Sequence, residues 1–382
     1  LFIFGTRPEA IKMAPLIEET KRNKGIKSVV CVTAQHRGML DQVLKIFGIV
    51  PDYDLNVMER GQDLFDVTGK CLRKLRSVLK KVNPDVVVVQ GDTTTAFIAG
   101  LAAYYLRLPL AHVEAGLRTR NKYSPFPEEI NRHLLSIMAD YNFAPTEWAK
   151  NNLLKDGIPE NRIWVTGNTV IDALMKISSG KGFRDNNSVY LKMFKGKLCG
   201  LDLEDKKNKI ILVTGHRRES FGQGFKNICN ALRKISDTRK DVVIIYPVHL
   251  NPNVRKPVHA ILRGKSNIRL IEPLAYDAFI FLMSRSFFLL SDSGGIQEEA
   301  PTLKKPVLLM RDTTERPEGV RAGTVKMVGT DTDRIVREAL KLLSDPDALR
   351  KMSRKANPYG DGKSAKRIIG ILRKGNVACR KA

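Results

Sequence analysis

Short apolar runs bounded by turn residues alternate along this chain with longer stretches of helical period. Val29-Val30-Cys31-Val32, Val86-Val87-Val88-Val89 and Leu110-Ala111-His112-Val113 form a first series. Ile210-Ile211-Leu212-Val213, Val242-Val243-Ile244-Ile245, Phe287-Phe288-Leu289-Leu290 and Pro306-Val307-Leu308-Leu309 form a second. Near-continuous runs separated by amphipathic helices are the pattern of parallel sheets covered on both faces. Two doubly wound α/β domains are therefore predicted, and 382 residues exceed what one ordinary core organises. Gly167-Asn168-Thr169, followed by a lysine-rich, strand-poor segment from about 178 to 208, marks the junction. After Pro358-Tyr359-Gly360-Asp361-Gly362 one more amphipathic helix is expected, from Lys363 to about Lys374.

Composition narrows the class. No apolar run approaches the roughly 20 residues that span a bilayer, so neither a membrane span nor burial in a membrane is expected. The opening Leu1-Phe2-Ile3-Phe4 has no basic residues before it and is too short for a signal peptide; it reads as a strand whose first residues are missing. Cys31, Cys71, Cys199, Cys229 and Cys379 are scattered without a Cys-x-x-Cys pair, which suits reduced thiols in the cytoplasm better than disulfides or a metal site. The net charge of +25 would draw polyanions. Its lysines and arginines are spread over presumed outer helix faces with no accompanying recognition motif, so a solvated basic surface is expected and no nucleic-acid partner.

In open parallel sheets ligands bind beyond the carboxyl ends of the strands, and there the chain is unusually polar. The first strand leads into Gly5-Thr6-Arg7-Pro8-Glu9, the Val86 strand into Gln90-Gly91-Asp92-Thr93, and the Leu110 strand into Glu114-Ala115-Gly116. Pro127-Glu128-Glu129 opens a helix. Asp92 suits a helix N-cap as well as chemistry. Glu128 suits a first-turn acid complementing the macrodipole and pairing with Arg132. Glu114 has no capping role. Three acids at one crevice edge raise one another's pKa, which a purely structural purpose does not require.

The second half supplies complementary groups. Gly215-His216-Arg217-Arg218-Glu219 and Tyr246-Pro247-Val248-His249 follow strands. Ser291-Asp292-Ser293-Gly294-Gly295 opens a helix whose free N–H groups suit a diphosphate. Glu298 and Glu299 one turn on suit ribose hydroxyls or the helix dipole. With Arg316 nearby in the expected topology, a nucleotide diphosphate is the expected ligand. His112 and His133 fit core or helix-face positions, and His259 the surface. The dinucleotide fingerprint, the P-loop, the nucleophile elbow and His-Glu-x-x-His are absent, which argues against NAD enzymes, P-loop ATPases, serine hydrolases and zinc proteases.

Taken in order, these segments resemble the non-hydrolysing bacterial UDP-N-acetylglucosamine 2-epimerases. The resemblance runs through Gly5-Thr6-Arg7-Pro8-Glu9-Ala10, Gln90-Gly91-Asp92, His112-Val113-Glu114-Ala115-Gly116, Pro127-Glu128-Glu129, Gly215-His216-Arg217, Ser291-Asp292-Ser293-Gly294-Gly295 and Arg311-Asp312-Thr313-Thr314-Glu315-Arg316-Pro317-Glu318. It implies the glycosyltransferase-B fold, two Rossmann-like domains facing a cleft, with the last helix returning to the first. The domains would then be 1–170 with 358–382, and 171–357. It also implies reversible C2 epimerisation: anti elimination of UDP to a 2-acetamidoglucal, then re-addition, without metal or redox cofactor, supplying cell-surface polysaccharide synthesis.

By the same matching, Asp92, Glu114 and Glu128 are the acid/base candidates and His216 acts near the leaving phosphate. Arg7, His249, Ser293, Gly294, Glu299 and Arg316 would hold UDP, with Phe279 by the uracil, although its helical spacing with Phe281 and Met283 also suits core. Gln35, His36 and Gln62 match a second, effector region, and a homodimer is the expected assembly. Ser220, Gly38 and Lys304 depart from the family's usual asparagine, polar residue and glycine. A hydrolysing epimerase releasing N-acetylmannosamine and UDP, a glycosyltransferase on the same fold, and a polyanion-binding module that lost its chemistry are the rivals.

Overall fold

The computed structural model describes residues 1–34, 37–59, 61–180, 183, 185, 187–205 and 207–375. The chain divides into two units, Leu1–Ala173 with Tyr359–Ala382, and Leu174–Pro358. Each is built on one parallel sheet with helices between successive strands. The first sheet runs β3-β2-β1-β4-β5-β6-β7 and the second β10-β9-β8-β11-β12-β13, both the Rossmann-like order in which the chain winds outward twice from a central pair.

In the first sheet β1 is Phe2–Phe4, β2 Val30–Val32, β3 Tyr53–Asp54, β4 Val87–Gln90, β5 Leu110–Val113, β6 Tyr141–Ala144 and β7 Ile163–Val165. In the second β8 is Lys209–Thr214, β9 Val242–Pro247, β10 Ile268–Ile271, β11 Phe288–Ser291, β12 Val307–Leu309 and β13 Val325–Met327. The predicted strands are the central ones, and β4, β5, β11 and β12 are buried along their whole length. The strands that the pattern does not announce are mostly edges: β3, β7, β10 and β13 are only partly buried and mix polar with apolar residues. Central β6 is hidden from the pattern by buried Asn142, whose amide donates to the Ser136 and Ala139 carbonyls.

Local chemistry fixes the elements around the strand ends. Gly100 lets the helices Thr94–Tyr105 and Glu128–Met138 close on each other, since a Cβ there would lie 2.5 Å from Leu135. Gly116, at φ +92°, faces the Ala149 carbonyl with no room for a side chain. Lys304 adopts the left-handed φ of +59°, which is the physical reason a glycine suits that turn. The last helix, Ser364–Gly375, packs on the first, Arg7–Lys21, through a face including Ile368, Ile369 and Leu372. Asp172 holds its start by accepting the N–H groups of Ser364 at 3.2 Å and Ala365 at 2.9 Å. The lysine-rich, strand-poor segment expected to mark the junction contains the helix Asn187–Lys197, part of the second unit. Among the described residues no helix is long and apolar enough to cross a membrane.

Candidate active site

In the first unit Arg7 follows β1, Asp92 follows β4 and Glu114 follows β5, so all three stand at the carboxyl edge of one sheet. Glu114 is buried and its backbone is left-handed, φ +65°, a conformation that costs a non-glycine residue of order 1 kcal/mol and persists only where its surroundings fix it. Its carboxylate accepts Lys12 Nζ at 2.5 and 2.6 Å, Asn168 Nδ2 at 3.0 Å and Gln90 Nε2. These contacts are all donors, so the carboxylate is read as anionic from its hydrogen-bond inventory.

Asp92 does not cap the following helix: Thr93 does, its hydroxyl accepting the Ala96 N–H at 3.0 Å. The Asp92 side chain instead lies 3.3 Å from Arg132 Nε, and its carbonyl accepts Asn131 Nδ2 at 2.9 Å. Arg132 Nε also reaches the Glu128 carbonyl at 3.3 Å and Glu129 at 3.5 Å. The first turns of the helix Glu128–Met138 therefore hold the Asp92 loop. Glu129 is buried and accepts the N–H groups of Thr119 and Arg120 at 2.9–3.1 Å, bracing the preceding loop.

Behind this edge His112 is wholly buried with Nε2 2.7 Å from the Gly91 carbonyl. A carbonyl accepts only, so that nitrogen carries the proton. Burial, outweighing that bond, pushes the His112 pKa down to about 4. Glu9 is buried too, accepting the Gly5 and Thr6 N–H groups at 3.1 and 2.8 Å and the Thr93 hydroxyl at 2.7 Å; burial raises its pKa against these bonds.

In the second unit β8 and β11 are the central pair, and the residues after them meet. Asp292 is wholly buried; one oxygen accepts the N–H groups of His216 at 2.7 Å and Arg217 at 2.8 Å, and the other lies 3.3 Å from His216 Nδ1. The half-exposed His216 ring stacks on His249 with centroids 5.6 Å apart. Arg316 Nε donates to Glu298 at 2.6 Å and Nη1 to Glu315 at 2.6 Å. Arg311 bonds Glu315 at 2.9 Å and Glu219 at 2.6 Å, and Arg217 lies 3.6 Å from Glu315. Burial pushes the Glu315 carboxyl up, but Arg316, Arg311 and Arg217 outweigh it and hold the group far below the usual carboxylate range. A Cβ on Gly294 would lie 2.7 Å from Arg316 Nη1, so a side chain there would displace the Arg316 guanidinium.

Ser293 precedes the six-residue helix Gly294–Glu299, and Glu299 Oε1 accepts the Tyr276 hydroxyl at 2.6 Å. His216, His249, Ser293, Gly294, Glu299 and Arg316 thus belong to one strand-end edge. Half-buried Phe279 stands one turn beyond Tyr276, while Phe281 stacks in the core with Tyr190 and Phe194. Gln62 accepts the Glu59 N–H at 2.7 Å; Gln35 and His36 lie outside the described residues.

Residues 18–373 match the sequence profile of the UDP-N-acetylglucosamine 2-epimerases. The chain is 53% identical to the Escherichia coli K12 UDP-N-acetylglucosamine 2-epimerase over 378 residues, 99% of both chains. This chain belongs to the UDP-N-acetylglucosamine 2-epimerase family. The Campylobacter jejuni epimerase is 52% identical over 98% of this chain and 97% of its own. Among solved structures, the Neisseria meningitidis UDP-GlcNAc 2-epimerase bound to UDP-GlcNAc superposes with a TM-score of 0.92 at 49% identity, covering 98% of this chain and 99% of that one. The Methanocaldococcus jannaschii epimerase in complex with UDP-GlcNAc and UDP gives 0.84 at 36% identity, with the same coverage.

Four groups, two at each unit's strand-end edge, gain their contacts only from the fold. Lys12 is a lysine flanked by Ile11 and Met13 in the first helix, and that placement is its one signal in the sequence. Asn168 reads there only as part of the junction. Asp292 and Glu315 lie inside recognisable motifs, but His216 and Arg217, which meet Asp292, and Arg217, which approaches Glu315, are distant in sequence and invisible to spacing.

Proposed function

We propose that this chain interconverts UDP-N-acetylglucosamine and UDP-N-acetylmannosamine without net release of UDP. The observation that carries the proposal is the division of chemistry between two strand-end edges, carboxylates in one unit and an oriented histidine with guanidinium groups in the other, in a family of which one solved member holds UDP-GlcNAc and another UDP-GlcNAc with UDP.

Elimination breaks the C1–O bond, whose electron pair leaves with UDP, and removes the C2 proton to give 2-acetamidoglucal. Re-addition returns a proton to the opposite face of C2 and reforms the C1–O bond. The C2–H is not acidic, so C–O cleavage runs ahead and the protein must stabilise a cationic C1 and a departing pyrophosphate. Anionic Glu114 suits the former, and Asp92, Glu114 and Glu128 are the acid/base set. His216, oriented by Asp292, serves the leaving phosphate. Arg7, His249, Ser293, Gly294, Glu299 and Arg316 hold UDP, with Phe279 by the base. The exposed apolar stripe Ile130, Leu134 and Ile137, 40–54% accessible along one helix face, supports a homodimer.

A proton NMR time course with UDP-N-acetylglucosamine in heavy water tests this reading. A UDP-linked mannosamine product carrying deuterium at C2 is expected. Stoichiometric free UDP with N-acetylmannosamine would overturn it in favour of the hydrolysing reaction.

A further inference from the structure

Asn168 follows β7 and stands at the start of the helix Thr169–Ser179, with 2% of its surface exposed. Its backbone N–H donates to the Tyr359 carbonyl at 2.7 Å, where the chain returns to the first unit. Its side-chain oxygen accepts the Val170 N–H at 3.1 Å, and its side-chain nitrogen donates to Glu114 Oε1 at 3.0 Å. The two partners fix which way the amide points, because Val170 N–H can only donate and an ionised Glu114 can only accept.

Resting on the proposed function, we infer that Asn168 is a positioning residue of the epimerisation, its amide nitrogen setting the place and charge of the Glu114 carboxylate. A cap alone does not require asparagine, since aspartate caps a helix about as well. Aspartate would keep the bond to Val170 N–H but turn an oxygen toward Glu114, where the present contact is 3.0 Å. Two carboxylates at that distance cannot both ionise readily. The charged and titratable groups that face Glu114 from the elements packed around it include Lys12 from the first helix and His112 from β5; Gln90 at the end of β4 is neutral. Lys12 favours the anion, and buried neutral His112 does not supply a second positive charge.

The experiment compares Asn168→Asp and Asn168→Ser with the parent chain. Expected for Asn168→Asp is a kcat about tenfold to hundredfold lower near neutral pH, an acid limb of the pH–kcat profile moved up by about one unit or more, and unchanged UDP affinity. Asn168→Ser keeps an acceptor for Val170 N–H and loses the amide N–H₂ that reaches Glu114, its hydroxyl being shorter, so its limb moves the same way by less; it also serves if the aspartate chain does not fold. A capping role predicts that Asn168→Asp matches the parent. That outcome, or a lower kcat with an unmoved limb in both variants, overturns the inference. If the parent chain itself fails to epimerise, the proposed function falls separately. The inference is then read from the Glu114 titration by carbon NMR of labelled glutamate, where an unshifted Glu114 in Asn168→Asp overturns it.

Discussion

In the first unit the central charge is a carboxylate surrounded by donors, Glu114 among Lys12, Gln90 and Asn168; in the second, guanidinium groups are surrounded by carboxylates, Arg311 and Arg316 among Glu219, Glu298 and Glu315. Both arrangements satisfy a charge away from water, but they leave different things to offer a substrate. The first unit offers anions in fixed positions. The second has already offset much of its positive charge internally, so a phosphate bound as proposed would be recognised by the direction of N–H groups more than by bulk attraction.

The contrast is tested most severely at Glu315. Removing one member of a buried ion cluster strands the rest, at a cost of roughly 3–5 kcal/mol. Glu315→Gln should therefore speed hydrogen exchange across β8, β11 and β12 while leaving the first sheet protected; equal loss in both sheets would contradict the separation. Next in size is a pH effect confined to the first unit. His112 is neutral when folded, with its pKa near 4, against 6.5 in the unfolded chain. Between those values the unfolded state binds more protons, so this contribution is complete above about pH 6.5 and is lost as pH falls toward 4, a change of about 3 kcal/mol. Trp148 and Trp164 both belong to the first unit and report its unfolding; His112→Gln, retaining an N–H for Gly91, should flatten the slope.

The third test concerns chemistry. Asp92→Asn, Glu114→Gln and Glu128→Gln should each lower kcat by about two orders of magnitude, equivalent to about 2.7 kcal/mol. UDP affinity measured by calorimetry should hold, because most of the groups proposed to hold it are in the other unit. A residue whose substitution abolished UDP binding instead would leave the acid/base set.

Much of this architecture is legible in the amino-acid sequence alone. The central strands announce themselves because both of their faces are buried, which forces uninterrupted Val, Ile and Leu. The edges do not, because half-exposed strands admit polar residues and lose the signal. Asp92, Glu114 and His216 can be picked out because each closely follows a readable strand. Pairing across distance is what the sequence does not carry. Asn168 to Glu114, Asp172 to the start of the last helix and Arg316 to Glu298 each join residues that only the folded topology brings together. The ambiguity at Asp92 has a local cause: Thr93 is an equally good capping residue one position later, and it takes the cap.

The order of the chain bears on how the molecule is made. The second unit is one continuous stretch, whereas the first is assembled from two separate stretches of the sequence. During synthesis the second unit has all its strands as soon as Pro358 has emerged. The first must wait for the helix Ser364–Gly375, without which the first helix lacks one of its packing partners and the Asp172 carboxylate lacks the N–H groups it accepts. A ribosome stalled before that helix would thus leave a chain with its second unit complete and its first still open to chaperones and proteases.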